Sequence, residues 1–167
     1  MYRTPTSAEP ALPVETGADG RRWLRCGERF DVLRVPEPAG RWALRRLLGY
    51  GQPALMPGPV ALEEPAGAAG AGQAGTAGGA DAACLFLVAP GAKEDLPELL
   101  DWLDWGGIDL GLRAYGAGER VPEPRVWLHD REAAAPEVIA LLATIAQCCS
   151  RRLLSRSVPA QRPRTGR

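Results

Sequence analysis

The sequence of 167 residues is short of the groups that most often do chemistry. Histidine occurs once, at His129, and lysine once, at Lys93, so 19 of the 20 basic residues are arginine. A bias of that kind follows from a GC-rich coding sequence and needs no functional cause. The four cysteines are Cys26, Cys84 and the neighbours Cys148 and Cys149. A structural zinc site draws four Cys or His ligands from paired spacings, and no CxxC occurs here. Sequence neighbours also face different sides of a helix. Buried free thiols and no metal are therefore expected. No apolar run approaches the ~18–20 residues of a membrane span. The opening MYRTPTSAEPALPVETG has no apolar signal region. These absences predict a cytoplasmic chain with no membrane partner. With 20 acids against 20 bases the formal net charge is zero, which excludes a strongly basic coat or an acidic solvating chain.

The zero is a sum of unlike parts. Residues 1–20 carry −2, residues 21–149 carry −4, and residues 150–167 carry +6. The tail SRRLLSRSVPAQRPRTGR has six arginines, no acid and few apolar residues, so 151–167 is expected to be a disordered, Arg-rich segment. Residues 1–19 have three prolines and no periodicity and are expected to be disordered too. Residues 64–82, with the run AGAAGAGQAGTAGGADA, can bury little beyond methyl groups and read as a flexible loop. A phosphate cradle is a poor fit, because neither GK[ST] nor a helix-opening GxGxxG is present. The remaining 20–150 forms one domain.

Within it the patterns alternate. FDVLRV at 30–35 is strand-like, with Trp23-Leu24 opening an earlier strand. Pro36 and Pro38 lead into a helix over 39–48, ended by Gly49. A short strand at 58–62 follows. ACLFLV at 83–88 is continuously apolar, the mark of a strand buried on both faces. DLPELLDWLDW at 95–105 predicts a helix capped by Asp95 and ended by Gly106-Gly107. Strands are expected at 108–112, 120–121 and 126–128. A last helix from Pro136 aligns Val138, Leu141, Leu142, Ile145 and Cys149. The fold class is α/β (α+β), with a single compact mixed sheet and about three helices.

RFDVLRVPEPAGRWALRRL, GPVAL, CLFLVAPGAKEDLPELLDWLDWGG and GAGERVPEPRVWL, in this order and spacing, resemble the N-terminal domain family of bifunctional DNA primase/polymerases. The likeness is to its short, divergent members and covers residues 21–150. It implies an archaeo-eukaryotic primase-like fold and a two-metal nucleotidyl-transfer site of converging carboxylates. At the positions of that family's paired acids this chain has Arg34 and Pro36. At its GGxH segment the chain has Ala82-Ala83-Cys84. The third acid position matches Leu112.

Asp31 and Asp109 are the residual acid candidates. With Phe30 packed inward, Asp31 and Leu33 are expected to point outward. No catalytic or metal-ligating set is expected, and Mg or Mn belongs only to the alternative of an active nucleotidyltransferase. The leading expectation is a non-catalytic, nucleic-acid-associated or regulatory module that contacts DNA or RNA through its arginines. Arg41, Arg45 and Arg46 lie on the first helix and Arg151, Arg152 and Arg156 in the tail. A second alternative is a protein-interaction domain that uses the acidic helix bearing Trp102 and Trp105. His129, after a strand and without a nucleophile partner, reads as a surface histidine.

Overall fold

Six consecutive apolar residues, Ala83–Val88, have no polar side to turn toward water, so the fold must cover both faces of that strand. The computed structural model describes residues 12–63 and 82–157. The strands are β1 (Val14–Thr16), β2 (Arg22–Arg25), β3 (Asp31–Pro36), β4 (Val60–Leu62), β5 (Ala83–Val88), β6 (Arg113–Tyr115), β7 (Arg120–Pro122) and β8 (Val126–His129). The helices are α1 (Ala39–Tyr50), α2 (Ala92–Trp102) and α3 (Val138–Ser157), and a 3₁₀ turn spans Pro53–Leu55.

The class is α/β, with three helices as expected, but the strands divide into two sheets where one was expected. One sheet has the order β6-β3-β5-β4-β8 and the other β1-β2-β7, and every pairing is antiparallel. The division falls at residues 116–119, where the chain leaves the five-stranded sheet after β6 and joins the other through β7.

Strand alternation then builds three layers. Leu33, Val35, Val60, Cys84, Phe86 and Val88 face the helices and meet Ala43, Leu44 and Leu47 of α1, Leu96 of α2, and Leu141, Leu142 and Ile145 of α3. Val32, Leu85 and Leu87 face the other way and meet Leu24, Cys26 and Val121 of the three-stranded sheet. α3 is long and apolar enough to match a membrane span by length and composition. Its apolar stripe is buried in the core.

Several boundaries differ from expectation. α1 passes Gly49 and closes at Gly51, whose φ of 61° suits glycine and whose N–H reaches the Leu48 carbonyl. α2 starts at Ala92 rather than 95, because its first amides are capped by Asp31 on β3 and not by Asp95. The strand expected at 108–112 is a loop in which Ile108 and Asp109 are exposed and Gly111 has a φ of 73°. The strand there, β6, begins at Arg113. α3 runs through Arg151–Ser157, into the expected disordered tail. β1 lies inside the expected disordered N-terminal segment, held by the ladder Val14↔Leu24 to Thr16↔Arg22. Residues 64–81 of the Ala/Gly loop, and residues 1–11 and 158–167, lie outside the described residues.

α1 sits close to β5 through Gly40. A Cβ there would fall 2.6 Å from the Cys84 Cβ and 2.8 Å from its sulfur. Gly40→Ala is expected to destabilise the protein by about 1–3 kcal/mol, because the helix must lift from the sheet. Urea unfolding would read this as a lower midpoint at unchanged slope.

Candidate nucleic-acid interface

α1 and α3 pack side by side and contain no aspartate or glutamate, yet they carry six arginines. On α1, Trp42, Arg45 and Arg46 are three and four residues apart and share a face. On α3, Cys148 and Arg151 have the same relation. Together these five side chains line a cleft of about 260 Å³ between the helices.

The Arg151 guanidinium lies 5.6 Å from the centroid of the half-buried Trp42 ring, a cation–π distance. Arg46 donates from Nη1 to Gln147 Oε1 at 3.4 Å, beside the Cys148 thiol that lines the same cleft. Burial pushes that thiol up, and the guanidinia of Arg46 and Arg151 pull it down. Among the described residues no carboxylate pairs with Arg45, Arg46 or Arg151.

Of the six arginines singled out in the sequence, these three converge. Arg41 forms an ion pair with Glu37 one turn earlier. Arg152 is buried and donates from Nε to the Glu37 carbonyl at 3.1 Å, tying α3 to the end of β3. Arg156 is exposed in the last turn of α3. Trp42 was not among the sequence candidates, although its spacing from Arg45 and Arg46 was a usable signal.

The acid candidates do not converge. Asp31 was expected to point outward and is instead fully buried, as is Leu33, because the helix layer covers that side of β3. Its Oδ2 accepts the backbone N–H groups of Gly91 and Lys93, each at 3.1 Å, at the start of α2. Among the described residues its Oδ1 has no hydrogen-bond partner. Beside it, Lys93 Nζ pairs with Glu119 Oε2 at 2.8 Å, and that oxygen also accepts the Gly116 N–H.

Asp109 is exposed and accepts the Gly111 N–H at 2.9 Å. Gly111 abuts Pro36, at the opposite end of β3 from Asp31. The length of that strand puts the two ends roughly 16 Å apart. Arg34 pairs with Glu63 at 2.7 Å. Among the described residues no three His, Cys, Asp or Glu side chains are grouped to hold a metal ion.

The structure separates the two tryptophans of the acidic helix. Trp102 is 72% exposed, whereas Trp105 packs against the core. His129 is half-buried on β8, with Nδ1 3.0 Å from the Gly58 carbonyl oxygen. All four cysteines are free and buried, and burial pushes the thiols of Cys26, Cys84 and Cys149 up to about 12. No protein family, curated protein or solved structure matches the chain.

Burial pushes the Asp31 carboxyl above its ordinary 3.8, and the amides of Lys93 and Gly91 offset only part of this. The folded state therefore holds the proton to higher pH than the unfolded chain does. The stability that depends on it is complete below about pH 4 and is lost as pH rises through the folded-state value. Asp31→Asn keeps an acceptor for the helix amides and removes the titration. The stability difference between wild type and Asp31→Asn is expected to shift against wild type as pH rises above 4. Its slope is at most about 1.4 kcal/mol per pH unit. Chemical denaturation of both proteins between pH 3.5 and 7 measures it, and a difference that stays flat contradicts the assignment.

Proposed function

We propose that the chain is a non-catalytic nucleic-acid-binding module that takes a single strand in the cleft between α1 and α3. One observation carries this reading. Arg45, Arg46 and Arg151 gather around Trp42 on two acid-free helices, and among the described residues no carboxylate pairs with them. Guanidinia are weakly hydrated forks that match phosphate oxygens. An indole at the same place offers a surface on which a base can stack in place of the Arg151 guanidinium, which is then free to pair with the phosphate. The cleft is small, which suits a base and its phosphate better than a duplex. The sequence likeness to primase/polymerase domains agrees with a nucleic-acid role. The separation of Asp31 from Asp109 supports a role without nucleotidyl transfer.

Binding of labelled oligonucleotides by anisotropy across a salt series tests it. Single strands are expected to bind with a clear salt dependence. The triple variant Arg45→Gln, Arg46→Gln, Arg151→Gln is expected to lose about 2 from the slope of log K against log salt. Trp42→Leu is expected to weaken single-strand binding by about 1–3 kcal/mol. Absence of binding at low salt removes the nucleic-acid role, and an unaffected triple variant removes the cleft. Nucleotide incorporation that needs a divalent cation and vanishes in Asp31→Ala would replace the non-catalytic reading with an active enzyme.

A further inference from the structure

The five tryptophans of this chain are treated in a consistent way, with one exception. Trp23 lies under Arg120 at 4.6 Å, Trp42 under Arg151 at 5.6 Å and Trp127 under Arg131 at 5.5 Å. Trp105 is packed on the core. Among the described residues Trp102 has neither cover and is the most exposed large apolar side chain.

Its surroundings are equally incomplete. Glu94, Glu98 and Trp102 are four residues apart on α2 and form one solvent-facing row, flanked by Asp95 and Asp101. None of these four carboxylates has an ion-pair partner among the described residues. Lys93, the one cation of the helix, is engaged by Glu119. The group that would both cover an indole and neutralise adjacent carboxylates is a guanidinium.

We infer that the Trp102 face of α2 docks a second copy of this chain, which presents Arg45 and Arg46 of its α1. Charge complementarity selects that occupant. The α1–α3 face is rich in arginine and free of acids, whereas α2 has four acids against one paired lysine. Donor and acceptor faces are different surfaces of one chain, so the contact is head-to-tail and can repeat. It also occupies two arginines assigned above to nucleic acid, so strand binding and self-association compete. The inference rests on that assignment only for the competition, not for the contact.

Sedimentation of the full chain without nucleic acid tests the contact. At low salt the mass is expected to rise with protein concentration, and at about 0.5 M salt the chain is expected to be monomeric. Trp102→Ala is expected to raise the self-dissociation constant about tenfold. Two charge reversals at exposed positions give the sharper test. Glu98→Arg/Asp101→Arg and Arg45→Glu/Arg46→Glu are each expected to be monomeric alone and to associate when mixed. The contact is refuted by a monomeric wild type at low salt, by Trp102→Ala associating as well as wild type, or by failure of the mixed variants to associate. Loss of oligonucleotide binding with self-association intact would fault the proposed function and leave the contact standing.

Discussion

The ladder between β3 and β5 is the constraint on which the rest of the molecule depends. Its register runs from Asp31↔Val88 to Pro36↔Ala83, and all six residues of β5 are buried. A strand with no polar side cannot lie at a surface, so a layer must cover each face. Three helices supply one and the β1-β2-β7 sheet the other. Burial of both faces also draws Asp31 inside, where the first amides of α2 take its carboxylate. A single acid on β3 thereby sets where α2 begins. The Lys93–Glu119 pair continues the tie to the turn between the two sheets.

Charge is partitioned among the helices rather than balanced within them. α1 and α3 have arginine without acid, and α2 has acids with one lysine. The zero net charge conceals this, because opposite sums cancel without any pairing. The potential over the molecule is therefore positive on the α1–α3 side and negative along α2. Among the arginines, position decides the role. Arg152 is a structural strut on the Glu37 carbonyl, Arg41 is neutralised by Glu37, and Arg45, Arg46 and Arg151 are left around an indole.

Much of the fold was legible because its signals are local. The continuous run at 83–88, the apolar spacing from Val138 to Cys149 and the prolines before α1 each identify an element from adjacent residues. Most of the misplaced features depend on distant partners, the end of α1 at Gly51 being the local exception. The start of α2 depends on Asp31, sixty residues before Gly91 in the chain. β1 exists because Leu24 and its neighbours lie opposite it. The alternating apolar pattern at 108–112 imitates a strand, but Ile108 and Asp109 remain exposed and pairing begins only at Arg113. The candidate site divides in the same way. Its arginines are visible as a composition, and their convergence on Trp42 is not.

Residue order alone was enough to set the α/β class, the doubly buried strand and the acid-free, arginine-rich character of two helices. Each is a property of residues within about twenty positions of one another, where periodicity and charge act directly. Long-range packing was needed to divide the strands into two sheets, to make Asp31 an internal cap, to pack Trp105 on the core and leave Trp102 exposed, and to turn three arginines toward a common cleft. Those outcomes depend on which surfaces are brought together by burying the β3–β5 ladder, and that packing joins residues with no local relation in the chain.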